Sequence, residues 1–196
     1  YIYYPSFSMT IGEGNLDWIL ADLAVCDALI IDIRDNGGGQ LTNIETFLRR
    51  FIHEPTLAGY IRHKTGPGHD QFSEPYPFYY YPAEAGRMTW HKPIALLINR
   101  SCFSAANNFA AIMKSLPNVT LIGSRTGGGG GMPFSAELPN GWGIRFSACP
   151  ITDSLDRQIE TGVDPTEGCE VHSLPQDFVL GIDPILDFAL SHLSGQ

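Results

Sequence analysis

Three short apolar runs constrain what this chain can fold into. Ala28–Arg34, Pro93–Asn99 and Val119–Gly123 are continuous rather than alternating, the pattern of strands buried on both faces. The first stops at Asp35-Asn36-Gly37-Gly38-Gly39, and the second runs into Arg100-Ser101-Cys102-Phe103-Ser104. Apolar residues at helical spacing come after each: Ile44, Phe47, Leu48 and Phe51 after the first, Phe109, Ile112, Met113 and Leu116 after the second. Parallel strands need long crossovers, so this repeated order of strand, turn and helix implies an α/β fold with a mainly parallel sheet.

Around this frame, Ile2–Phe7 reads as an aromatic strand, and Leu16, Ile19, Leu20 and Leu23 as one face of a helix with Asn15 placed to cap it. Thr42-Asn43-Ile44-Glu45 reads as a capping box. Asn140-Gly141, between Phe134–Leu138 and Trp142–Ala148, predicts a tight hairpin. Asp183-Pro184 opens a last helix whose buried stripe is Leu186, Ala189, Leu190 and Leu193. Thr65–Trp90, rich in Pro, Gly and aromatics without a sustained period, reads as an excursion across the surface. Its Tyr79-Tyr80-Tyr81 run either lines a substrate groove or packs onto its own domain, and no site is assigned to it.

At 196 residues, with 43% hydrophobic and 17% charged, the chain suits one packed domain. No apolar run approaches the roughly 20 residues of a membrane-spanning helix, so no membrane insertion is expected in this segment. A net charge of -9 leaves no basic stripe for phosphates, so nucleic acid is excluded as a partner and peptides are better candidates. Cys26, Cys102, Cys149 and Cys169 lie far apart with no C-x-x-C pair, suggesting neither a zinc site nor a dense disulfide framework and leaving the redox compartment open. The sequence opens on Tyr1-Ile2-Tyr3-Tyr4-Pro5, already strand-like, so any targeting segment is expected outside these residues and the chain reads as a fragment.

Ser104 falls just after a strand, at the first turn of a helix, where unpaired N–H groups and the positive end of the helix dipole favour a developing oxyanion. The Ala105 N–H would be one donor, and the Gly37-Gly38-Gly39 loop could supply another, since glycine leaves its N–H uncovered. Both turns follow strand C-termini, where α/β sheets place their ligands. The same position also suits a plain helix cap, because serine is a common one. Gly127–Gly131 is followed by no Lys-Ser/Thr pair, which argues against nucleotide binding. It reads either as a mobile edge along which an extended peptide could pair or as a flexible loop.

Four segments, in one order, resemble the C-terminal-processing (tail-specific) serine peptidases and the tricorn core. They are Leu29-Ile30-Ile31-Asp32-Ile33-Arg34-Asp35-Asn36-Gly37-Gly38-Gly39, the strand and turn Ala95-Leu96-Leu97-Ile98-Asn99-Arg100-Ser101-Cys102-Phe103-Ser104-Ala105-Ala106-Asn107, Leu121-Ile122-Gly123-Ser124-Arg125-Thr126-Gly127-Gly128, and Ile159-Glu160-Thr161-Gly162-Val163-Asp164-Pro165. The resemblance implies the spiral α/β core shared with the ClpP and crotonase superfamily, with an added hairpin and a C-terminal helix, residues 1–196 forming one catalytic core. It implies Ser104 as nucleophile, Ala105 and Gly39, with Gly38, as oxyanion-hole donors, and Glu160 as the acid that orients the catalytic array; otherwise Glu160 is a solvated surface carboxylate. Members using a serine–lysine pair carry the lysine at the position of Gly129, and none stands there. The tricorn-like branch uses a histidine well before the first core strand, ahead of a peptide-binding region, so the base is expected upstream, and His53, His63, His69, His91, His172 and His192 fall in no matching motif. The resemblance thus implies an endopeptidase acting through an acyl-enzyme, with no cofactor or metal, nearly inactive as this segment alone, and exported in preference to cytoplasmic. The rival is a module of the same fold that binds peptide or lipid and has lost catalysis.

Overall fold

A computed structural model describes residues 1–195. In chain order its elements are β1 (Ile2–Tyr3), α1 (Glu13–Leu23), β2 (Leu29–Asp32), α2 (Leu41–Leu48), β3 (Thr56–Ile61), β4 (Tyr76–Tyr80), β5 (Ile94–Ile98), α3 (Ala105–Lys114), β6 (Val119–Gly123), β7 (Met132–Glu137), β8 (Gly143–Cys149), β9 (Ile151–Thr152), α4 (Pro175–Leu180) and α5 (Pro184–Ser194).

The central sheet is parallel, in the order β1-β2-β5-β6. Side chains alternate across it, which explains the unbroken apolar runs. Ile31, Ile33, Leu96 and Leu121 enter the larger core with α2 and α3, while Ile30, Ala95, Leu97 and Ile122 pack with Ile185 and Ala189 of α5 on the other face. At the centre of the larger core Phe47 of α2 stacks on Phe109 of α3 at 5.6 Å between ring centroids, and Phe7 lies 5.2 Å from Phe109. This aromatic contact fixes the first turn of α3 relative to the glycine corner that precedes α2. The architecture is the ClpP/crotonase-like α/β core expected from the motifs, with hairpin and C-terminal helix in place.

Several local readings are corrected. The first helix begins at Glu13 with Gly12 as its cap, so Asn15 lies inside it: the Asn15 and Leu16 N–H groups both donate to the Gly12 carbonyl, and buried Arg50 grips Glu13 in the first turn and Asp17 one turn further on. No capping box forms at Thr42, because the Gln40 N–H donates to Phe7 O at 3.1 Å and makes Gln40 the last extended residue. The excursion after Thr65 contains β4, whose aromatic run hides any alternation. It pairs with β3, and β3 with β9, in a separate antiparallel sheet that the patterning did not reveal. In α5 the Asp183 side chain caps the helix through Leu186 N as expected, and of the expected stripe Ala189 is buried while Leu186 and Leu193 pack half-buried against the same cluster; Ile185 joins them, and Leu190 is exposed. Helix α4, with no buried residue, was not anticipated.

Candidate active site

Ser104 closes the turn between β5 and α3 with φ 56 and ψ −119, a conformation that a residue with a side chain adopts only under constraint, at roughly 1–3 kcal/mol. Neighbours on both sides impose it. Its N–H donates to Gly128 O at 2.8 Å, the preceding Phe103 N–H donates to Asn36 O at 3.1 Å, and Asn108 N–H returns to Ser104 O at 3.0 Å. The Ser104 side chain makes no capping hydrogen bond, so the helix-cap account of this serine does not hold. The hydroxyl stands at a strained strand-to-helix turn, as an exposed nucleophile requires. Next to it Ala105 is the first residue of α3, and among the described residues its N–H has no acceptor.

The glycine corner is built around buried Asn36. Its Oδ1 accepts from Gly38 N at 2.9 Å and Phe7 N at 3.4 Å, and its Nδ2 donates to Tyr4 O at 2.9 Å. Gly38, with φ +99, lies directly against the serine turn: a Cβ there would stand 2.9 Å from Ala105 N. Gly39 is crossed by the chain that follows β1, a Cβ there falling 2.1 Å from Phe7 C. The Gly38 N–H is engaged by Asn36, whereas the Gly39 N–H has no acceptor among the described residues.

Glu160 reaches the same place from the far end of the chain. One carboxylate oxygen accepts from Gly131 N at 2.7 Å and the other from Ser147 Oγ at 2.8 Å, so both oxygens are oriented, and Glu160 is not a free surface acid. A buried network holds its segment to α3. The Thr126 hydroxyl donates to Asn107 Oδ1 at 2.6 Å and accepts from Val163 N at 2.6 Å, and Asn107 Nδ2 donates to Ile159 O at 3.0 Å. Ser104, Glu160, Gly39, Gly129 and Arg145 line one open cleft of about 470 Å³, with Gly38 immediately behind it. Beside the cleft is an apolar cavity of about 200 Å³. Its wall takes Met132, next to Gly131, and Ile159, next to Glu160, together with Phe78 and Tyr80 of β4; Tyr79 and Tyr81 are exposed.

Neither histidine nor lysine lines this cleft among the described residues. His53 and His91 stack on each other at 3.8 Å, and burial with the neighbouring His91 charge lowers the pKa of His53. His63 faces Cys149, His69 and His172 pair with Asp70 and Glu170, and His192 meets Thr120. Lys64, Lys92 and Lys114 donate to backbone carbonyls elsewhere. Gly129 has φ +73, and a Cβ there would lie 2.4 Å from Cζ of Phe103, so the ring fills the space a lysine would need. Cys102, two residues before the serine, is no rival nucleophile: burial pushes its thiol up to about 12, and it donates to Ile33 O. Sequence reasoning missed Arg145 and Ser147; only their alternation along a predicted hairpin strand could have pointed to one shared face.

The model for peptidase family S41 matches residues 1–168. A candidate peptidase from Parabacteroides merdae, known from its crystal structure, is 44% identical, with a TM-score of 0.92 over 97% of this chain. The tricorn protease is 23% identical with a TM-score of 0.60 over 98% of this chain, which speaks for the fold. An uncharacterized protein of Chlamydia muridarum is 30% identical over 163 residues, 80% of this chain. This chain spans 59% of the Parabacteroides chain, 17% of the tricorn chain and 26% of the Chlamydia protein. Together with the four motifs and the α/β core they build, these matches show that the chain belongs to peptidase family S41, the C-terminal-processing peptidases.

Proposed function

We propose that this chain is the catalytic core of a serine endopeptidase. Ser104 Oγ attacks the peptide carbonyl, forming a C–O bond; the amide C–N bond then breaks, the leaving amine takes a proton, and water hydrolyses the acyl-enzyme. The Ala105 and Gly39 N–H groups hold the oxyanion, with Gly38 providing the space between the two turns rather than a free donor. Glu160 orients the array through the backbone of Gly131 and the hydroxyl of Ser147. The apolar cavity beside the cleft offers a seat to an apolar substrate side chain. A histidine supplied by sequence outside residues 1–196 acts as base, a reading supported by the absence of histidine and lysine from the cleft among the described residues.

The observation that carries this reading is the strained, uncapped Ser104 facing a cleft it shares with Glu160 and the glycine corner. A serine-directed fluorophosphonate on the full-length protein tests it. The expected result is a stable adduct on Ser104, abolished by Ser104→Ala. Correctly folded protein that stays unlabelled would favour the rival, a binding module that keeps the fold without its chemistry.

A further inference from the structure

The twelve lysine and arginine side chains of this acidic protein are almost all spoken for. Arg34, Arg50, Arg62, Arg87, Arg125 and Arg157 pair with carboxylates, and Arg49, Arg100 and the three lysines donate to backbone carbonyls. Arg145 alone has neither a hydrogen bond nor an ion pair among the described residues, and Arg145 lines the Ser104 cleft.

Its placement has a structural basis. Arg145 lies on β8 two residues before Ser147, so the two side chains leave the same face of the strand, and Ser147 is the residue whose hydroxyl binds Glu160. The cross-strand partner of Arg145 is Ser135, too short and uncharged to neutralise it. The other charged group at the cleft, Glu160, has each carboxylate oxygen bound by its own donor. The cleft thus presents one uncommitted guanidinium and no uncommitted carboxylate, in a protein whose net charge of -9 otherwise repels acidic ligands.

Resting on the peptidase reading, we propose that Arg145 is a specificity-determining residue that pairs with a carboxylate of the bound peptide. A guanidinium fork fits a carboxylate with two parallel N–H···O bonds. Two residues along β8 span roughly 7 Å, so an extended peptide would present that carboxylate within about three residues of the scissile bond. The carboxylate is either an acidic side chain or the free end of the peptide.

The test measures binding by fluorescence anisotropy to full-length protein carrying Ser104→Ala, which prevents turnover. Peptides differ by Asp or Asn at single positions flanking the scissile bond, each with a free or amidated C-terminus. The expected result is that one carboxylate-bearing form binds about three- to tenfold more tightly than its neutral counterpart, with the contrast shrinking as salt rises. An Asp/Asn contrast identifies a side chain; a free/amide contrast identifies the chain end. Arg145→Gln should bring the ratio to within about twofold, Arg145→Lys should keep part of it, and Arg145→Glu should turn preference toward lysine peptides. Equal binding of charged and neutral peptides, no binding of any, or a contrast that survives Arg145→Gln overturns the proposal. The Asp/Asn and free/amide contrasts on the unsubstituted arginine remain decisive even if a variant misfolds. Ser104 labelling by the fluorophosphonate is read separately on protein retaining the serine: labelling without a contrast removes only the role of Arg145, and a contrast without labelling removes only the peptidase reading.

Discussion

Gly38 lies so close to Ser104 that a Cβ built on it would stand 2.9 Å from the serine Cβ. The same atom would be 2.6 Å from Phe103 O. Two strand-ending turns, 66 residues apart in the chain, therefore meet backbone to backbone, with Asn36 O accepting from Phe103 N across the join. The absence of a side chain at Gly38 is what allows the glycine corner and the start of α3 to share one cleft.

Gly38→Ala should consequently damage the site more than its small change in volume suggests. The new methyl meets backbone atoms, which cannot rotate away, and its φ of +99 is itself unfavourable for alanine. Loss of about 2 kcal/mol or more in stability is expected, together with at least tenfold slower fluorophosphonate labelling of Ser104. Gly37→Ala is the internal control, since a Cβ there meets nothing within 4 Å, and its melting temperature should stay near wild type. Equal melting temperatures for the two variants would show that the turns are not in contact.

Ser104 itself separates strain from capping. Because its side chain makes no capping hydrogen bond, Ser104→Ala should change stability by less than about 0.5 kcal/mol, where loss of a true serine cap typically costs about 1. Ser104→Gly relieves the positive φ and should equal or exceed the stability of Ser104→Ala despite glycine's greater chain entropy. Chemical denaturation of the three proteins checks this. A drop of a full kcal/mol in Ser104→Ala would mean the hydroxyl caps α3 in solution.

The parallel core was legible because burial on both faces of β2, β5 and β6 leaves an unmistakable apolar run, and because the turns after β2 and β5 carry Gly37-Gly38-Gly39 and Ser104. Other features were hidden for physical reasons. β3, β4 and β9 are short strands of a small separate sheet, where Pro77 and adjacent tyrosines blur the two-residue alternation. Helix starts moved because hydrogen bonds between distant residues, such as Gln40 N to Phe7 O, outweigh local capping preferences. Glu160 could be singled out only through its motif, since its contacts with Gly131 and Ser147 span 29 and 13 residues. Arg145 carries no sequence signal of its own; its mark is the lack of a partner among the described residues, which only the folded arrangement reveals.

Glu160→Gln should loosen the base of the hairpin as well as the site. The carboxylate accepts both from Gly131 N and from Ser147 Oγ, and a neutral amide is a weaker acceptor that offers one oxygen in place of two. Amide hydrogen exchange at Gly131 should speed up by roughly tenfold, with little change at Ile122 in β6. Unchanged exchange at Gly131 would place Glu160 outside the hairpin's support.

The four thiols should react in an order set by burial. Cys26 is exposed and Cys149 half-buried, whereas Cys102 and Cys169 are buried, with the Cys102 thiol pushed up to about 12 by desolvation. Iodoacetamide at about pH 8 on the native protein should alkylate Cys26 first and Cys149 next. Cys102 should react only on denaturation, as read by peptide mass mapping. Early alkylation of Cys102 would mean that the turn holding Ser104 opens readily.

Acid should weaken the attachment of α5 in a way traceable to one carboxylate. Arg34 binds Asp183 through two hydrogen bonds of 2.7 Å and also holds Asp32, and this guanidinium lowers the pKa of Asp183 below the ordinary aspartate value. A depressed folded-state pKa means that the unfolded chain binds the proton more readily. The pair therefore stabilises the fold above about pH 4, and that stabilisation fades as pH falls through the ordinary aspartate range and on to the depressed value. Asp183 is partly exposed, so solvent screening limits the effect to about 1–3 °C in melting temperature, smaller at high salt. Asp183→Asn keeps an oxygen for Leu186 N at the helix start while losing the charge. Its melting temperature should lie below wild type at pH 7 and converge with it near pH 2, whereas a constant offset across that range would show that the ion pair contributes nothing to holding α5 on the sheet.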